Sequence, residues 1–216
     1  NKAVIYFGGN AENVAYNADD LSRILPDHSI YLVNYRGYGG STGSPSETGF
    51  FTDALNIYDT LQERHENISV IGRSLGSSIA LYLSSKRPVE RLVLATPYDS
   101  ALSLASKMYP VYPVGLLLRD KYDNIKYAAE TKASTLILIA KNDKVIPFQH
   151  SVRLAKTFPS EQVDVVIVNK SGHNDISARK AYWETMGQFL LRQIHPLRAS
   201  MEALDGVWPL VEIFVN

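Results

Sequence analysis

The sequence predicts an α/β protein, with a mostly parallel central sheet of about six strands and helices on both faces. Three observations predict it. Short runs rich in valine, isoleucine and leucine alternate with longer stretches of helical period. The short runs are apolar at consecutive rather than alternate positions, as strands buried on both faces are. No internal repeat and no linker rich in proline, glycine or serine breaks the alternation, so residues 1–216 are expected to form one domain.

In chain order, the first strand is expected over residues 3–7, Ala3-Val4-Ile5-Tyr6-Phe7, followed by a helical stretch over 13–25. The second strand, 29–34, leads through a glycine-rich loop to a helix over 47–65. There Phe51, Leu55, Tyr58 and Leu61 recur at spacings of three and four and make one apolar stripe. The third strand, 68–71, precedes a helix over 75–86. The fourth, 91–95, precedes a stretch over 99–132 that reads as a short lid, helical over 100–119. The fifth, 136–140, and sixth, 163–168, are followed by helices over 148–157 and 178–194. The final residues 210–215 read as a strand that covers exposed apolar surface or an open sheet edge, in its own chain or a neighbour's, or as irregular chain packed on the last helix.

Composition narrows the function classes. Lys+Arg and Asp+Glu are both 22, and this balance gives no electrostatic reason to expect nucleic acid or an anionic membrane as partner. Without cysteine there is no disulfide framework, thiolate metal site or cysteine nucleophile. No run of about 18 apolar residues occurs, so no membrane span is expected in this chain. The chain opens directly on a strand. The expectation is a missing front, with any anchor or signal lost with it and a cytoplasmic location by default.

Parallel sheets bind ligands beyond the carboxyl ends of their strands, and chemistry is expected in those loops. Gly72-Arg73-Ser74-Leu75-Gly76, directly after the third strand, is a G-x-S-x-G. The spacing alone is weakly specific. Its placement between a strand and a helix is what points to a nucleophile elbow, where glycine two residues either side lets the backbone pass closely. A serine hydroxyl needs a base, and the base needs an orienting group. Of the five histidines, only His173 follows a late strand on a glycine-containing loop, Ser171-Gly172-His173. Asp143, after the fifth strand, is the expected acid; Asp99 and Asp175 compete and read better as helix caps. The oxyanion hole would use the N–H of Leu75 and that of Asn10, in the loop Gly8-Gly9-Asn10-Ala11 after the first strand. That Gly-Gly pair could also cradle a phosphate, but no G-x-G-x-x-G and no P-loop lysine follow it. No cofactor and no metal is expected.

The order strand–GGN, strand–NYRGYGGSTG, strand–GRSLG, strand–ND, strand–SGH resembles the α/β-hydrolase superfamily over nearly the whole chain. The stretch Asn34-Tyr35-Arg36-Gly37-Tyr38-Gly39-Gly40-Ser41-Thr42-Gly43-Ser44-Pro45-Ser46-Glu47 with Gly72–Gly76 is similar to the branch of serine hydrolases that includes the bud-emergence proteins and protein depalmitoylases. The resemblance implies a catalytic Ser74, Asp143 and His173, and an oxyanion hole at Asn10 and Leu75. Two departures stand out. Gly8-Gly9 stands where relatives carry His-Gly, and the antiparallel hairpin ahead of the first parallel strand is absent. In the lid, Met108, Tyr109 and Val111 are expected either to wall an acyl pocket or simply to pack on the sheet. Arg73 and Arg36 are expected to anchor loops.

The expected function is cleavage of a carboxylic ester or thioester of a small-molecule or acyl-group substrate, through an acyl-enzyme, by a monomer or weak homodimer. A catalytically silent hydrolase fold used for binding, and a peptidase or amidase of the same fold, are the alternatives.

Overall fold

The computed structural model describes residues 1–109 and 112–192. Its sheet has six strands: β1 (Lys2–Phe7), β2 (His28–Val33), β3 (Asn67–Arg73), β4 (Arg91–Ala95), β5 (Ser134–Ala140) and β6 (Val163–Val168). They run in the order β2-β1-β3-β4-β5-β6, and every neighbouring pair is parallel. The helices are α1 (Ala18–Ile24), α2 (Glu47–Leu61), α3 (Leu75–Lys86), α4 (Ala101–Met108), α5 (Val114–Leu117), α6 (Asn124–Glu130), α7 (Phe148–Ala155) and α8 (Lys180–Leu191).

Consecutive apolar residues in the strands build two cores, because successive side chains point to opposite faces. Ile5, Phe7, Val70, Leu92, Leu94, Ile137 and Ile139 face a core shared with α2, α3, α6 and α7. Val4, Tyr6, Ile71, Val93, Leu136 and Leu138 face the other, closed by Leu21 of α1 and by Tyr182, Trp183, Met186 and Phe189 of α8. Every residue of β4 is buried, as a strand covered on both faces must be, whereas β2 at the edge is half-buried. The fold class read from the sequence is therefore the fold observed.

Element boundaries differ where local chemistry overrides the apolar period. The stretch over 13–25 divides into a 3-10 turn, Val14–Asn17, and α1; Asn13 caps the turn by accepting from the Ala15 N–H. The helix expected over 47–65 ends at Leu61, and that expected over 148–157 ends at Ala155. The segment expected as one helix over 100–119 is two short helices, α4 and α5. Pro110 and Pro113 lack the N–H a continuous helix needs. Helix α6 is not among the expected elements; its N-cap Asp123 accepts from the Lys126 N–H. The base of this excursion is tied down by Glu47, whose carboxylate accepts the N–H groups of Lys121 and Tyr122 at 2.8 and 3.1 Å. The strand expected over 210–215, and the end of the helix expected over 178–194, lie outside the described residues.

Leu138 is fully buried between Ala95 on β4 and Val166 on β6. Leu138→Ala should cost about 2–5 kcal/mol in urea unfolding. A cost below about 1 kcal/mol would contradict the packing between the sheet and α8.

Candidate active site

The carboxyl end of β3 turns into α3 at Ser74, whose backbone sits at φ 51° and ψ −114°. A residue with a Cβ is strained there, and such strain persists only where the surroundings impose it. Here they do. A Cβ on Gly76 would collide with the carbonyl oxygen of Phe7, and one on Gly72 with that of Gly76. Glycine at these two positions lets α3 lie directly against β1 and β3. The Ser74 N–H donates to Ala95 O at 2.9 Å, which pins the turn to β4.

Two loops reach Ser74. His173 Nε2 lies 3.0 Å from Ser74 Oγ, and His173 Nδ1 lies 2.7 Å from Asp143 Oδ2. The other oxygen of Asp143 accepts the N–H groups of Val145 and Ile146 at 2.9 and 2.8 Å, which fixes the carboxylate. The two loops are tied by the Asn142 N–H donating to Ser171 O at 2.9 Å. The side chains of His173 and Asp143 are 10% and 3% exposed, and Ser74 is half-buried.

The structure separates the competing carboxylates. Asp99 belongs to a second histidine pair: its Oδ1 is 2.7 Å from His150 Nδ1 and its Oδ2 accepts from Arg153 Nε at 2.7 Å. Ser100, rather than Asp99, caps α4 by accepting from the Ser103 N–H; Asp99 accepts the N–H of Ser100. Asp175 does not cap a helix with its side chain; it accepts the Gly172 N–H and closes the histidine loop, with Arg179 at 3.1 Å.

Leu75 opens α3, and N–H groups of a first helical turn have no intrahelical acceptor. Asn10 sits in a tight turn closed by Glu12 N–H to Gly9 O at 3.3 Å, with Ala11 at φ 57°. The Asn10 side chain accepts from the Tyr38 hydroxyl. Arg36 pairs with Asp53 at 2.6 Å.

Glu12 is a site feature that no sequence motif marks. Its carboxylate accepts from the Gly9 N–H, Tyr6 Oη at 2.9 Å and Asn17 Nδ2 at 2.8 Å, and pairs with Arg73 Nη1 at 3.2 Å. Arg73 Nη2 in turn donates to His173 O at 3.2 Å. Burial alone would push the Glu12 carboxyl up, but the Arg73 charge and these donors hold it below the ordinary carboxylate range. Asp99 follows the same pattern: burial raises it, and His150 and Arg153 more than offset that.

Of the expected pocket residues, Tyr109 is 54% exposed, while the Met108 side chain and Val111 lie outside the described residues. A cavity of about 660 Å³ opens between β2 and α2, lined by Val33, Tyr35, Phe50 and Ile57, and none of Ser74, His173 and Tyr109 borders it.

The sequence profile of the alpha/beta hydrolase fold matches residues 2–134. An uncharacterised protein of Mycobacterium tuberculosis is 35% identical over 179 residues, 80% of this chain and 63% of that protein. This chain thus spans under two thirds of that relative's length. An alpha/beta hydrolase domain-containing protein of Arabidopsis thaliana is 29% identical over 213 residues, covering 87% and 69% of the two chains. Among solved structures, an esterase from Exiguobacterium antarcticum superposes with a TM-score of 0.69 at 20% identity, covering 88% and 92%.

Two outcomes follow from the paired carboxylates. Asp143→Asn should lower kcat/KM by roughly 10⁴, because the imidazole loses the partner that fixes its tautomer. Asp99→Asn should leave kcat/KM within a few-fold and lower the melting temperature; equal losses of activity would place the orienting acid at Asp99. Glu12 and Asp99 also titrate lower folded than unfolded, so their stabilisation is complete above the unfolded carboxylate range, about pH 4. It is lost as pH falls through their folded values. Glu12→Gln and Asp99→Asn should each reduce stability at pH 7 and flatten its fall toward pH 3 in urea titrations; unchanged slopes would contradict the ion pairs.

Proposed function

The chain belongs to the alpha/beta hydrolase fold family, and on that footing we propose that it is a serine hydrolase cleaving a carboxylic ester or thioester through an acyl-enzyme. The observation that carries this reading is the continuous chain from Asp143 Oδ2 through the two nitrogens of His173 to Ser74 Oγ, at 2.7 and 3.0 Å. Those distances suit proton transfer along the chain in the resting protein.

With Nδ1–H donating to Asp143, Nε2 is left as an acceptor for the Ser74 hydroxyl proton. As Nε2 takes that proton, Oγ bonds to the acyl carbon and the carbonyl π pair moves to oxygen. The oxyanion is met by the N–H groups of Leu75 and Asn10. Collapse breaks the bond to the leaving oxygen or sulfur, which takes the proton from Nε2. Water then repeats the sequence on the acyl-serine, giving the carboxylic acid and free Ser74. The Asp143 carboxylate keeps its charge throughout and stabilises the imidazolium. Strain at Ser74 holds Oγ clear of the sheet, so the step costs little reorganisation.

An acyl substrate is supported by where large apolar side chains stay in water. Tyr109, Tyr112 and Leu117 follow β4, and Val145 and Phe148 follow β5; all five are exposed. These loops leave the same carboxyl edge of the sheet as Ser74 and His173. Apolar surface at this edge suits the acyl part of a substrate.

With p-nitrophenyl esters and acyl thioesters of increasing chain length, the wild type should release leaving group in a burst of one equivalent per chain. Ser74→Ala should show no burst and lose at least about 10⁴ in kcat. Turnover by Ser74→Ala at the wild-type rate would remove the serine mechanism, and absence of turnover on every ester and thioester would favour a binding role.

A further inference from the structure

We propose that Glu12 is a positioning residue that sets the oxyanion loop and, through Arg73, the histidine loop; this rests on the serine-hydrolase reading. The Glu12 side chain is 12% exposed, as is that of Arg73, so the pair is shielded from solvent and held by hydrogen bonds on several sides. One carboxylate oxygen, Oε2, takes the Gly9 N–H. The other takes the Tyr6 hydroxyl, the Asn17 amide and the Arg73 guanidinium.

This arrangement has two consequences for the site. The loop after β1 offers several adjacent N–H groups, and a usable oxyanion hole needs one of them aimed outward. Glu12 occupies the Gly9 N–H from the buried side, while among the described residues the Asn10 N–H meets no acceptor. The carboxylate thereby selects which amide faces the oxyanion and holds the turn, with Ala11 at φ 57°, that presents it. Arg73, adjacent to Ser74, is held by the same carboxylate and donates to the carbonyl of His173 at 3.2 Å. One buried charge thus ties together the loop of the acceptor hole, the serine turn and the loop of the base. Placement of these three parts to within about 1 Å sets the rate.

Glu12→Gln keeps the shape but puts an N–H₂ against either the Gly9 N–H or Arg73. Glu12→Asp keeps the charge but retracts it by one methylene, so it cannot reach both partners, and it disturbs folding less. In both variants kcat should fall by about 10- to 100-fold, with KM for a p-nitrophenyl ester within about threefold of wild type. Affinity for phenylboronic acid, whose tetrahedral serine adduct occupies the oxyanion hole, should fall in parallel with kcat. Asp99→Asn serves as the control, since it removes another buried carboxylate paired with an arginine, one whose partners are Ser100, Ser103, His150 and Arg153 rather than Ser74, Asp143 or His173. It should lower the melting temperature and leave kcat and boronate affinity near wild type. Glu12 variants that lose stability but keep wild-type kcat and boronate affinity would overturn the positioning role alone. A wild type that turns over none of the esters and thioesters would overturn the hydrolase reading and this proposal with it.

Discussion

The site depends on one steric constraint, the close approach of α3 to the carboxyl ends of β1 and β3. No Cβ fits at Gly76 against the Phe7 carbonyl, or at Gly72 against Gly76 itself. With both positions clear, the helix starts immediately at the end of β3, and the residue between must adopt φ 51°. That residue is Ser74. Its strained backbone is the geometric result of packing a helix hard against the sheet, and the same packing opens the first helical turn toward the carboxyl edge. The cost of the strain is spread over a core in which β1, β3, β4 and β5 are almost entirely buried.

Around that fixed point, charged groups are buried only with partners. Asp143 is held by two backbone N–H groups and His173, Glu12 by three hydrogen-bond donors and Arg73, and Asp99 by His150 and Arg153. An unpaired charge at such depth would cost far more than these networks return in stability, so each is held in one arrangement. The three differ in where they act. Asp143 reaches the hydroxyl through an imidazole, Glu12 lies beneath the loop that faces it, and Asp99 joins the start of the α4 excursion to α7. The last is structural, although it shares the Asp–His chemistry of the first.

What was legible in the sequence follows from range. The strands could be read because burial on both faces leaves consecutive apolar residues, and the serine turn because its glycines lie within two positions. His173 and Asp143 could be matched only by their places at strand ends, yet the structure brings them to Ser74. Glu12 was not legible: its ion-pair partner Arg73 is far away in the chain, and a glutamate in a polar loop looks solvated. The Asp99–His150 pair, separated by 51 positions, was hidden for the same reason. The α4–α5 break was misread because the apolar period continues across Pro110 and Pro113, where the backbone chemistry does not. Helix α6 escaped because its signal is a polar cap at Asp123 with little apolar stripe behind it.

In the proposed mechanism Ser74 is made nucleophilic by His173. Mass spectrometry of protein treated with a fluorophosphonate tests it most directly, with the adduct located by peptide fragmentation. One adduct per chain is expected, on Ser74, formed at least about 10³ times more slowly in His173→Ala. An adduct on another serine, or Ser74 labelled at the wild-type rate without His173, would contradict it.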